Sequence, residues 1–252
     1  MNDVILYFAL KYYGNWKLIY KAIKNNEKIL NGDLELIDKE IKAKSLSINN
    51  PLYPDVLREV NNPPFVIFHY GNIDLINQYY RCVGMVIGAK LSKYQSKALK
   101  DFVKFFHKNS PIMVIKIDNH INDSLKVVFN PSKKIILVVK EPLLCFLKSN
   151  ADLIKDYEFS NNLLVISEFY EKTEASYLGP MYERIFTGIS KTALVICDSS
   201  EHHFKQTITL LNDSGKSIFV LPEEIYKKSN NNSLIKEGAL IVQSGADILN
   251  IL

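Results

Sequence analysis

From Arg81 onward the chain alternates between two hydrophobic patterns. Short apolar runs occur at Cys82–Gly88, Ile112–Ile117, Lys134–Val139, Asn162–Phe169, Thr192–Cys197 and Ser217–Pro222. They are too continuous for strands with one wet face and read as strands buried on both sides. Between them lie stretches with apolar residues at helical spacing, at Ser92–His107, Asp123–Phe129 and Glu141–Tyr157, then a helix ending near Gly188 and a polar helix from His202. Connections of that length are what parallel strands require. The pattern predicts a doubly wound α/β fold with a mostly parallel sheet, whose ligands sit beyond the carboxyl ends of the strands. After Pro222 it predicts a polar loop, a helical turn at Leu234–Glu237, a strand at Ala239–Val242 and a short terminal helix.

The first 48 residues read differently, as short helices at Val4–Tyr12, Trp16–Lys24 and Leu34–Ala43 with breaks at Gly14 and Asn31-Gly32. So little helix cannot bury a large core alone, so it is expected to lean on the domain formed by residues 49–252. A glycine hairpin of the DNA-binding kind would need more than Gly14. Prolines at 51, 54, 63 and 64 mark the boundary, because each fixes φ and turns its predecessor away from helix. A strand at Phe65–Tyr70, closed by Gly71-Asn72, follows.

Composition changes this picture little. The net charge of +4 over 252 residues favours an anionic partner only weakly. No apolar window approaches the roughly 18 residues of a membrane span, and the N-terminus lacks the pattern of a signal peptide, so a cytoplasmic protein with no membrane contact is expected. Cys82, Cys145 and Cys197 lie in or beside apolar segments without a C-x-x-C pair, and are expected to be reduced thiols rather than a disulfide framework or a zinc site.

Several small motifs then occur in a telling order: Tyr53-Pro54-Asp55-Val56-Leu57, Pro63-Pro64, Gly71-Asn72, Gly88-Ala89-Lys90 with Ser92 and Tyr94, and Leu164–Phe169. Pro180, Arg184–Ser190 with Gly188, Gly215-Lys216 before a strand ending Val220-Leu221-Pro222, and Asn232–Ile235 before Gly238-Ala239 complete the series. Over most of residues 50–252 this resembles the DNA-processing protein A (DprA/Smf) family. The resemblance implies a Rossmann-like fold and a homodimer that binds single-stranded DNA and loads a RecA-type recombinase during DNA uptake or recombination, with no cofactor. The departures are specific. Ile117-Asp118 is all that matches a glycine-rich helix start, Tyr182-Glu183 replaces an Arg-Asn pair, Cys197-Asp198 and His202-His203 replace small-residue motifs, and Glu223 replaces a glycine. These changes fall at strand carboxyl ends.

The candidate phosphate contacts are therefore Gly88, Ala89, Lys90 and Ser92, where a tight turn meets a helix N-terminus, together with Arg184, Gly188 and Lys216. Lys90 supplies a point charge where the family has arginine. Arg184 is alternatively a surface ion pair with Glu183 or Glu171, and Lys90 alternatively a solvated side chain. Tyr94, Phe169 and Tyr182 are candidates for base stacking, with Tyr170 and Tyr177 in reserve, and Lys93, Lys97, Lys133, Lys134 and Lys172 for tracking a DNA backbone. Ser167-Glu168 and Asp118 read as solvated carboxylates or caps, since no nucleophile, base and orienter converge on them. His202 and His203, at i and i+1 on a helix, cannot face one metal, and His120 stands alone. No catalytic or metal site is expected. Two other readings stay open: a glycosidic hydrolase of nucleoside monophosphates, against which Pro222-Glu223-Glu224 lacks a glycine-rich cradle, and a scaffold that has lost DNA affinity.

Overall fold

In the computed structural model the apolar runs become one sheet. The structure describes residues 2–252 apart from Asn31, Leu36, 119–120, 172–180, 198–201, Ile225 and 227–230, and the side chains of Asn2, Met181, His202 and His203 also fall outside the description. Among the described residues nine strands pair in the order β1-β2-β6-β5-β4-β3-β7-β8-β9. The parallel part comprises β3 (Cys82–Ile87), β4 (Ile112–Ile117), β5 (Ile135–Val139), β6 (Leu163–Ser167), β7 (Thr192–Ile196), β8 (Ser217–Val220) and β9 (Leu240–Ile241). From β3 the chain steps outward through β4 and β5 to β6, then crosses back to lay β7 on the other side of β3. This is the doubly wound Rossmann-like arrangement, and the order reverses between β3 and β7. A ligand crevice is expected at the carboxyl ends of those two strands.

Two antiparallel strands extend the edge beyond β6. These are β2 (Val66–Gly71), predicted from the sequence, and β1 (Ser45–Ser47), which is too short to show a period. A four-residue helix, α4 (Asp55–Arg58), and a 3₁₀ segment at Ile73–Arg81 were likewise not legible among the prolines and polar residues. The predicted Glu141–Tyr157 helix divides into α7 (Leu143–Ser149) and α8 (Ala151–Tyr157), because Asn150 leaves the helical region at φ −124° and ψ 34°. The third N-terminal helix is shorter than expected. Asp38 caps it by accepting the Glu40 amide, so α3 spans Lys39–Ala43 only.

The sheet's two faces carry separate clusters. On one, Val83, Met85, Met113 and Ile115 pack with Leu99, Phe102, Val103 and Phe106 of α5 (Lys93–Asn109). The same cluster takes in Ile5, Leu6, Phe8 and Ala9 of α1 (Asn2–Lys11) and Ile19 and Ala22 of α2 (Trp16–Lys24), so the N-terminal helices lean on the sheet as expected. The Trp16 indole stacks on Phe65 and donates to the Pro63 carbonyl at 3.0 Å. On the other face Val86, Val114, Ile136 and Ile166 meet α9 (Met181–Ile189), whose Ile185, Phe186 and Ile189 are buried, and α10 (His202–Asp213). Among the described residues no helix is long and apolar enough to cross a membrane. Cys82 and Cys197 are buried and Cys145 half-buried, none of them in a disulfide, and burial pushes the Cys82 thiol up to about 12.

Candidate nucleic-acid interface

At the switch point Gly88 ends β3, and its amide donates to the Ile196 carbonyl of β7 at 2.9 Å. A Cβ on Gly88 would lie 3.1 Å from the Cys197 Cβ and 3.2 Å from its Cα, so close approach of the two strand ends explains this glycine. Ala89 and Lys90 then leave the sheet and are exposed. Ser92 caps α5 with a reciprocal pair: its hydroxyl accepts the Gln95 amide at 3.1 Å, while the Gln95 side chain accepts the Ser92 amide at 3.0 Å. The other end of the Gln95 amide donates to buried Glu223 at 2.6 Å, tying the start of α5 to the segment after β8. Buried Asn231 joins the neighbouring strand ends, donating to the carbonyls of Cys197 and Leu221, each at 3.0 Å. Ser92 is thus a helix cap whose first turn also holds a carboxylate, which weakens that helix end as an anion site.

Under α9, the sequence reading is corrected. Arg184 is neither paired with Glu183 or Glu171 nor open to solvent: it is 8% exposed, and its guanidinium forms an ion pair with Glu168 just past β6. Glu168 is itself 4% exposed rather than solvated. Burial pushes this carboxyl up to about 7, the nearby Arg184 charge opposing the shift without cancelling it. Glu168 Oε2 and Arg184 Nε have no hydrogen-bond partner among the described residues. Two strands over, Lys116 is buried on β4, donating to Thr207 Oγ1 of α10 at 2.8 Å and lying 3.5 Å from Glu183 Oε1 and 3.8 Å from Asp118 Oδ1. Its ammonium sits over the rings of Tyr182 and Phe204, 5.6 and 5.5 Å from their centroids. The Tyr182 hydroxyl donates to Asp118, and burial raises the Glu183 carboxyl. The charges nearest the carboxyl edge on this face are therefore occupied by one another.

Of the three stacking candidates, only Tyr94, at 44% exposure, presents its ring to solvent. Tyr182 is held in the network just described. Phe169 is 3% exposed and seated against Gly14, and Tyr170 packs on Phe68. Gly188 lies near the far end of α9, where a Cβ would meet Val60 at 2.6 Å and Leu57 at 3.0 Å; it admits α4 and its following turn rather than a phosphate. Lys216 precedes β8, and Lys133 and Lys134 precede β5, so all three lie at the amino edge, across the sheet from Lys90. Lys216 donates to the Tyr79 hydroxyl and covers its ring, and Lys134 donates to Gln78 at 2.9 Å. Lys172, Tyr177, Pro180, Asp198 and His120 lie outside the described residues, as do the side chains of His202 and His203. What the structure brings together is Lys90, Ser92, Lys93, Tyr94 and Lys97, on one loop and the helix it enters.

A family model, DNA recombination-mediator protein A, matches residues 44–252. The chain belongs to this family. It is 25% identical over 221 residues, covering 86% of this chain and 77% of the relative, to DNA processing protein DprA of Streptococcus pneumoniae. The crystal structure of DprA from that organism matches with a TM-score of 0.71 at 20% identity, over 99% of this chain and 97% of the other. DNA processing protein A from Helicobacter pylori, in a structure concerned with how that protein binds single-stranded DNA, matches with a TM-score of 0.63 at 17% identity, over 82% and 94% of the two chains. The Glu168–Arg184 pair and the Lys116 network are the buried charges of this chain's carboxyl edge on the α9 face. Sequence reasoning missed Lys116 altogether. The available signal was a lone lysine inside the strand IMVIKI, in step with Ile112 and Val114, which point to the α9 face. Among the described residues no group of three or more His, Cys, Asp or Glu is placed to hold a metal ion.

Proposed function

We propose that this chain binds single-stranded DNA at the carboxyl edge of the sheet, and that as a homodimer it loads a RecA-type recombinase onto that DNA without catalysing a reaction of its own. One observation carries the reading. In a chain that belongs to a recombination-mediator family, the loop at the switch point projects Lys90 into solvent with no ion pair or hydrogen bond among the described residues, next to the exposed ring of Tyr94. Lysine contacts to phosphate release counterions, and an aromatic ring accepts any base, a combination suited to strands of varied sequence. The buried Arg184 contributes by holding Glu168, not by touching phosphate.

Fluorescence anisotropy with labelled oligo-dT over a range of salt tests this. The wild-type chain is expected to bind at low salt and to weaken steeply as salt rises. Lys90→Gln is expected to bind several-fold more weakly, with a log K against log salt slope shallower by about 0.7, the single-strand value for one phosphate contact. A wild-type chain that leaves the probe free at low salt would sink the reading.

A further inference from the structure

The exposed face of α5 carries a feature that the carboxyl-edge site does not need. Its sequence, KYQSKALKDFVKFFHKN, contains five lysines, at 93, 97, 100, 104 and 108, against one acid, Asp101. Successive spacings of four, three, four and four residues place all five on a single stripe of the helix, opposite the buried Leu99, Phe102, Val103 and Phe106. Every one of the five is exposed. Surface helices ordinarily intersperse signs so that lysines meet carboxylates one turn away. Here none of the five forms an ion pair or hydrogen bond among the described residues, although Asp101 lies one turn from Lys97 and Lys104. Over 17 residues the helix is about 25 Å long, enough to follow several nucleotides.

Alongside the stripe runs a groove of about 580 Å³, walled by Tyr94, Ala98, Phe102 and Phe105 of α5 and by Pro222 and Val242 from beyond β8 and β9, with one cation, Lys97, and one acid, Asp101, in its lining. A row of unpaired cations beside an apolar, aromatic-lined trough is the arrangement that holds a single strand, phosphates along the lysines and bases against the rings.

We propose that the α5 face is a second binding segment for single-stranded DNA, a lane that continues from the Lys90 loop through Lys97, Lys100 and Lys104 to Lys108, with bases entering the Tyr94–Phe105 groove. The inference rests on the carboxyl-edge reading, because the strand reaches the lane past Lys90. It predicts that the lane matters only for strands too long to be held by the loop alone.

The test uses the full chain, the variant Lys100→Gln/Lys104→Gln/Lys108→Gln, and labelled oligo-dT strands of about 6 and about 20 nucleotides, a range bracketing typical single-strand site sizes. Glutamine is nearly as good a helix former as lysine and these positions are exposed, so the fold is expected to persist, which circular dichroism checks. The triple variant is expected to bind the short strand within about twofold of wild type. On the long strand it is expected to lose about tenfold, with a salt slope shallower by about 2, the share of three lysines at about 0.7 each. Unchanged affinity and slope on the long strand overturn the lane; if Lys90→Gln still weakens the short strand, the carboxyl-edge reading survives alone. If the wild-type chain binds neither strand, both fall. If the triple variant loses polyglutamate or anionic vesicles but not oligo-dT, the stripe serves another polyanion and the proposal is wrong.

Discussion

Glu168→Ala is expected to lower the free energy of unfolding by about 3–5 kcal/mol, because it strands the buried Arg184 guanidinium without its counter-charge. The partner substitution, Arg184→Met, is expected to behave differently, and the difference is a matter of pH. Burial raises the Glu168 carboxyl from an ordinary 4.5 to about 7 in the folded chain. Between those values the folded protein holds a proton that the unfolded chain has released, so this group's contribution to stability is full below about 4.5 and lost as pH rises through about 7. With arginine gone, the orphaned carboxyl can still neutralise itself in acid. Arg184→Met is therefore expected to cost markedly less at pH 5 than at pH 8. Glu168→Ala removes that titration from the folded chain altogether, so its cost is expected to be larger at pH 5, where the group contributes in full, than at pH 8. Urea unfolding of both variants at the two pH values checks this; a Glu168→Ala variant within 1 kcal/mol of wild type would remove the pair from the account.

Lys116→Met is expected to cost a similar amount, about 3–5 kcal/mol, for the mirror-image reason. The ammonium is the only cation among the described residues against Glu183 and Asp118, and the Glu183 carboxylate already has one oxygen without a hydrogen-bond partner among them. Removing it leaves Thr207 as the remaining donor to Glu183 Oε1, at 3.2 Å. Met fills the volume, so the loss reports on charge rather than on a cavity. Adding Glu183→Leu removes the stranded carboxylate as well, and the double variant is expected to recover most of the loss, because replacing both members of a buried pair by apolar residues is often neutral or better. Chemical denaturation of the single and double variants measures the coupling. A double variant no more stable than Lys116→Met would mean that the network's value lies in packing, not in pairing.

The strands were legible in the sequence because a parallel sheet buries both faces and leaves runs such as IILVV and LLVIS almost without polar residues. Helix positions followed from apolar spacing, with ends shifted where a cap or a proline decided, as at Asp38 and Pro142. The site was less legible, for two physical reasons. Direction along a parallel strand decides which edge a flanking residue occupies. Lys216 and Lys133 precede their strands whereas Lys90 follows one, and that alone separates them, a separation the sequence contained but composition hides. Parity decides which face a side chain meets. Glu168 keeps step with Leu164 and Ile166, and Lys116 with Val114, so all point at α9, yet their partners Arg184 and Glu183 sit on a helix whose placement no local pattern reveals. Tyr182 and Phe169 failed as stacking candidates because aromatic rings serve cores and grooves equally well.

In this DprA-family chain the buried charges at the carboxyl edge pair with one another, and the proposed DNA contacts are the exposed lysines of the Lys90 loop and α5. Salt-titrated oligo-dT binding of two double variants tests this most directly. Lys90→Gln/Lys93→Gln is expected to flatten the log K against log salt slope by about 1.4, the share of two phosphate contacts. Glu168→Leu/Arg184→Met, which removes the internal pair, is expected to leave slope and affinity as in wild type. The opposite result, a slope flattened by the buried double variant and untouched by the surface one, would contradict the account.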